Sequence, residues 1–173
     1  MEERLKAKID EALELLTKKV EQYNKDTIQF IDDAFPKEIR KMAKELVDAN
    51  SMCFKYQIPH VGWLKIDQYG SVKVINCSGD IISNFDIPNR YVPEKGVYNN
   101  DIINSINSCT SRLERELNIF NKAKEIVPAA IECLTTQYKN TVEYQSNTLD
   151  NILTRLGSET EPTKHIKVTV EWV

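Results

Sequence analysis

The chain has 173 residues, of which 28% are charged and 41% hydrophobic, and its formal net charge at neutral pH is −3. A chain of this length can bury a core of its own, and no apolar run approaches the ~20 residues that cross a bilayer, which excludes disordered and membrane-embedded classes. The acidic balance argues against a nucleic-acid partner, which usually selects for a basic excess.

The first predicted element is a long helix over residues 3–33, whose apolar positions form two interleaved heptad seams. The seams are Ile9, Leu16, Tyr23 and Phe30, and Leu13, Val20, Thr27 and Ala34. A stripe this narrow is typical of a helix that packs lengthwise on another helix. The start of the chain is charged and lacks the apolar stretch of a signal peptide, so we expect a cytoplasmic protein.

A second helix is predicted over residues 36–49, because Pro36 suits a first helical turn and disfavours helix in the residue before it. Its basic residues lie away from its apolar side: Lys37, Arg40, Lys41 and Lys44. This basic cluster could contact phosphate or could form an ordinary solvated face.

Strands are predicted after the second helix. Residues 63–67 and 71–75 alternate apolar and polar side chains and flank Gln68-Tyr69-Gly70, which indicates a hairpin. A turn at 77–80 leads into a third strand over residues 81–85. At the other end of the chain, residues 163–173 alternate regularly and predict a strand that joins this hairpin or crosses to another subunit.

The loop over residues 86–96 combines cationic, amide and aromatic groups between two prolines, and two arginines follow one turn apart on the next helix. Together they form the candidate ligand site: Asn89, Arg90, Tyr91, Lys95, Arg112 and Arg115. If these groups converge, they can bind a phosphate or nucleotide, with the tyrosine stacked on a base. The competing interpretation is a polar surface loop with both arginines paired to neighbouring glutamates.

A long helix is predicted over residues 99–157, with an apolar series at spacings of three and four. The series is Ile103, Ile106, Thr110, Leu113, Leu117, Phe120, Lys124, Val127, Ile131, Leu134 and Tyr138, with Leu149, Ile152 and Leu156 after a slip. Pro128 lies inside the pattern, where a proline costs about 3 kcal/mol and kinks or breaks a helix. One helix kinked at Pro128 or two separate helices are both compatible with this spacing.

These elements predict a single α+β domain over residues 1–173, with long helices and a small antiparallel sheet made by the central hairpin region and the C-terminal strand. Its parts are helical residues 1–49, a β-hairpin region and loop over 50–98, the long helix 99–157 kinked at Pro128, and the strand 163–173. Over residues 1–156 the helix–hairpin–helix outline resembles the layout of prefoldin-type chaperones, although the helix at 36–49, Pro128 and the last strand depart from it. No residue motif carries that family's function over.

The sequence lacks the glycine-rich, nucleophile-elbow and metalloprotease motifs, and its four cysteines lie more than twenty residues apart. We therefore expect no enzyme, no catalytic residues, no metal and no cofactor. The heptad seams instead predict a non-enzymatic protein-interaction module, a homodimer or larger oligomer that regulates or inhibits another protein. A composition rich in Asn, Ile and Lys suggests a phage or mobile-element origin. The alternative function is an oligomer that binds or sequesters a small anionic ligand such as a nucleotide.

Overall fold

The computed structural model describes residues 2–87 and 92–157, and within them it shows an α+β fold with a long C-terminal helix. The elements in chain order are α1 Glu3–Ala34, α2 Lys37–Asn50, β1 Phe54–Ile58, β2 Gly62–Ile66, β3 Val72–Ile75, β4 Ile81–Asn84 and α3 Asn100–Arg155. The strand predicted over residues 163–173 lies outside the described residues.

The helices α1 and α3 pack side by side and run in the same direction. Near their beginnings, Ile9 of α1 shares a small apolar cluster with Ile102 of α3. Further along both helices, the rings of Tyr23 and Phe120 meet edge to face with centroids 6.0 Å apart. Contacts that advance together along both helices define a parallel pair.

The second helix, α2, continues along α3 where α1 stops, and it is also parallel to α3. The chain leaves the helical conformation at Phe35, before Pro36, and α2 then begins. Near the far end of α2, Glu45 accepts a hydrogen bond from the hydroxyl of Tyr138. The helices α1 and α2 therefore lie one after the other along the longer helix α3.

The heptad seams predicted for α1 are confirmed. Six predicted positions are buried: Ile9, Leu13, Leu16, Val20, Tyr23 and Thr27. The adjoining Ile31 is buried as well. Phe30 and Ala34 are partly buried against the same core. Because α3 of the same chain covers this stripe, the stripe of α1 needs no second subunit.

The seam predicted for α3 is correct in one row and only partly correct in the other. The row that is both predicted and buried contains Leu113, Phe120, Val127 and Leu134. In the second predicted row, Ile103 and Leu117 are 39% and 36% exposed, whereas Ile131 is partly buried and Tyr138 is buried. The buried second row is Ile102, Cys109, Ala123 and Ala130. Small side chains in that row let the neighbouring elements approach α3 closely.

Pro128 lies inside the continuous helix α3, so the alternative of two separate helices is wrong. Its side chain is on the exposed side of the helix. A backbone carbonyl that loses its helical partner to a proline can bind water on that side, which lowers the cost of the missing hydrogen bond.

The sheet is an antiparallel meander in the order β1-β2-β3-β4. The first of these strands was not predicted, whereas the other three lie at or within a residue of their expected places. One face is buried in the core through Phe54, Ile58, Leu64, Ile66, Val72 and Val74. Just after β4, Phe85 packs against Phe120 with ring centroids 5.9 Å apart, which places the sheet beside the middle of α3.

A buried ion pair fixes the turn between β2 and β3. The Asp67 carboxylate lies 2.8 Å from the Lys73 ammonium and accepts hydrogen bonds from the backbone N–H groups of Tyr69 and Ser71 at 2.9 and 3.0 Å. Burial alone would raise the pKa of Asp67, but the hydrogen bond from Lys73 and the two backbone bonds outweigh it, so the pKa is lowered.

We expect Asp67→Asn to lower the free energy of unfolding at pH 7 by about 1–3 kcal/mol, because it removes the charge that Lys73 needs. A lowered folded-state pKa adds stability above the ordinary aspartate pKa, and this stability is lost as the pH falls through the folded value. Urea denaturation at several pH values should therefore show the two proteins converging in acid. The exposed Asp80→Asn is the control, and a difference independent of pH would contradict the assignment.

Substitution of a small buried residue in the second row of α3 tests whether neighbouring elements pack closely against it. Ala130 has no exposed surface, whereas the adjoining Ala129 is exposed. Ala130→Leu should destabilise the protein by about 1–3 kcal/mol because the larger side chain overpacks the core. Ala129→Leu should leave the denaturation midpoint nearly unchanged. Equal effects at the two positions would show that the small residue at 130 is not required for packing.

Candidate functional site

The candidate ligand site predicted from the sequence is only partly within the described residues. Asn89, Arg90 and Tyr91 lie outside them. Lys95 is exposed and lines a depression together with Ala7, Asp10, Glu11, Glu14, Gly96 and Tyr98. The carboxylates of that depression repel an anion, so the surroundings of Lys95 do not favour phosphate.

The two predicted arginines lie on α3, and Arg115 lines a different depression from Lys95. Arg115 is exposed beside Asn107, Ser108, Ser111, Glu114 and Asn118. Arg112 is half-buried. The structure thus brings Arg115 together with polar side chains of its own helix and not with Lys95.

A more defined feature lies where α2 ends against α3. A groove of about 370 Å³ opens between these helices, and we call it the α2–α3 groove. Its lining residues are Glu45, Leu46, Asp48, Ala49, Tyr138, Thr141, Val142 and Gln145. The floor is apolar, and the side formed by α2 carries two carboxylates.

Beyond this groove, α3 continues without α2 beside it. We call residues 143–156, which begin at the end of the groove and share Gln145 with it, the α3 overhang. Four of its large apolar side chains are exposed, with Tyr144 at 71%, Leu149 at 57%, Leu153 at 37% and Leu156 at 78%, whereas Ile152 is partly buried. Val142 in the groove, Leu149 and Leu156 are spaced seven residues apart, so the apolar face of the groove continues along the overhang.

A different cluster holds the junction between α1 and α2. The Arg40 guanidinium donates to the carbonyl of Phe35 through Nε at 2.8 Å and to that of Gly70 through Nη1 at 3.0 Å. The same Nη1 lies 3.0 and 3.1 Å from the two carboxylate oxygens of Asp86. Asp86 also accepts a 2.7 Å hydrogen bond from the backbone N–H of Val72. One side chain thus joins the helical junction, the β2–β3 turn and the end of β4.

Within residues 2–87 and 92–157, no three His, Cys, Asp or Glu side chains are placed to hold a metal ion. No helix in this described part combines the length and the apolar character needed to span a membrane. Comparison with family models, with curated proteins and with solved structures found no significant match. Function is therefore inferred from the geometry of the described residues.

Arg40 gives a test of the junction. Arg40→Met keeps much of the apolar stem but leaves the Phe35 and Gly70 carbonyls and the Asp86 carboxylate without their donor. We expect a loss of about 1–3 kcal/mol in the free energy of unfolding, because Arg40 and Asp86 are mostly shielded from water. Lys41→Met, on the exposed side of α2, should change stability little. Equal denaturation curves for Arg40→Met and the wild type would refute this role.

Proposed function

We propose that this chain is a non-enzymatic protein-interaction module of the regulator or inhibitor class, and that it acts as a homodimer assembled through the α3 overhang. The observation that supports this most directly is the apolar face of the overhang, which no other part of the described chain covers. Exposed apolar side chains that continue a buried seam mark a surface that another helix can cover. The stripe of α1 gives no support, since α3 of the same chain already covers it.

A second copy of the chain fits this surface better than an unrelated helix for a geometric reason. The overhang of one copy, running antiparallel, occupies the place beyond the end of α2 on the other copy. Its exposed leucines then cover the partner's leucines, and Leu156 at its tip reaches the α2–α3 groove near Leu46 and Val142. The contact is isologous, so each copy supplies both an overhang and a groove.

The charges at the two ends of this contact are complementary. The tip of the overhang carries Arg155, and the side of the groove carries Glu45 and Asp48. The last carbonyl groups of α2 also point toward this end of the groove, where the negative end of a helix dipole favours a cation. In the proposed dimer, a cation of one copy therefore lies near the acidic helix end of the other.

The first test uses Leu149→Asp. A charge in the middle of the overhang should weaken self-association by at least about tenfold, since burying an unpaired carboxylate is strongly unfavourable. Sedimentation velocity over a range of micromolar concentrations measures the effect. Leu15→Asp is the matched control, because Leu15 is 51% exposed on α1, close to the 57% of Leu149. A wild-type protein that stays monomeric throughout this range would disprove the homodimer.

A charge exchange separates this dimer from other modes of association. Asp48→Arg and Arg155→Asp should each weaken the dimer, because like charges then face each other at both symmetric ends. The double variant should recover much of the wild-type affinity. Failure of the double variant to recover, with both single variants folded, would show that these ends do not meet in the dimer.

A further inference from the structure

A second concave surface lies at the opposite end of α2, next to the helical junction. It is a pocket of about 680 Å³ between the first turns of α2, the β2–β3 turn and the segment after β4. Three lysines of α2 line it: Lys37, Lys41 and Lys44. Their spacing of four and three residues places them on one side of the helix. We call this surface the lysine pocket.

The acidic residues of the lysine pocket do not neutralise these lysines. Asp86 forms its ion pair with Arg40 at 3.0 Å, and the Asp32 carboxylate lies 3.8 Å from the same guanidinium. Among the ion pairs formed by the described residues, none includes Lys37, Lys41 or Lys44. The pocket therefore has an excess of positive charge in a protein whose net charge is −3.

An aromatic ring stands at the edge of the pocket in a fixed turn. Tyr69 is 77% exposed, and its backbone N–H donates to the buried Asp67 carboxylate. The next residue, Gly70, has φ +80°, and a Cβ there would lie 3.3 Å from Lys44 Cε and 3.4 Å from Arg40 Cβ. The turn thus packs directly on α2, which holds the Tyr69 backbone close to the lysines.

We propose that the lysine pocket binds a nucleoside polyphosphate. The three ammonium groups bind the phosphate oxygens, and the Tyr69 ring stacks on the base. The volume is within the range of about 300–1,000 Å³ that is usual for small-molecule sites. A solvated basic face would need neither concavity nor an exposed ring, and here both accompany the uncompensated charge. This site is independent of the proposed dimer, because it uses other residues at the other end of α2.

The experiment is isothermal titration calorimetry of the full chain at low salt, without divalent cations, using ATP, inorganic triphosphate and adenosine. We expect ATP to bind more tightly than triphosphate, adenosine to bind weakly, and added salt to reduce the affinity for both phosphates. Lys41→Ala/Lys44→Ala should weaken ATP binding by about tenfold or more, because charge-assisted hydrogen bonds are lost. Tyr69→Ala should weaken the binding of ATP and leave that of triphosphate unchanged.

The matched control is Lys19→Ala/Lys25→Ala, which removes the same charge from exposed positions on α1. It should bind ATP like the wild type, and circular dichroism should show that all variants remain folded. No heat of binding for ATP at millimolar concentration would overturn the proposal, as would equal losses in the control and the pocket variant. Equal affinities for ATP and triphosphate would overturn the assignment of a nucleoside to Tyr69.

Discussion

One geometric constraint organises the described structure: a single helix serves as the support for two helices placed end to end. α3 has 56 residues, whereas α1 and α2 have 32 and 14. Because all three run in the same direction, the chain must travel back from the end of α2 to the start of α3. The four-stranded sheet and the segment after it make this return. Phe120, which meets rings from α1 and from the end of β4, is the point where the helices and the returning chain share one core.

The end-to-end arrangement creates a break in the helical backbone, and Arg40 stabilises it. Pro36 ends the first helix, and the carbonyl of Phe35 would lack a partner without the Arg40 guanidinium. The same guanidinium binds Gly70 and Asp86, so the position of the sheet is set from the junction. This structural role has an electrostatic consequence. The nearby carboxylates of Asp32 and Asp86 are directed to Arg40, and among the described residues they form no ion pair with the lysines of α2.

The sequence predicted the positions of the helices and strands better than it predicted which side chains and elements pack together. Heptad spacing identified the buried side of α1, because its core residues are large and apolar. The same criterion chose a second row of α3 that is exposed at Ile103 and Leu117, since these look like core residues whereas the buried Ala123 and Ala130 do not. β1 was missed although Phe54, Tyr56 and Ile58 alternate and α2 ends four residues earlier, at Asn50. The lysine pocket depends on α2 meeting the turn at Gly70, a contact between residues thirty positions apart that no local pattern encodes.

The composition of the α3 overhang bears on its role. Between Ser146 and Arg155 the helix contains asparagines, threonines and an aspartate, which are weak helix formers. The hydroxyls of Thr148 and Thr154 donate to carbonyls four residues earlier, a local bond that helps the helix little. As an extension of a helix that is already formed, this stretch needs no new nucleation, but its residues add little helix stability of their own. Leucines at heptad spacing stabilise such a stretch only when another surface covers them, so the sequence of the overhang makes physical sense as one half of an interface.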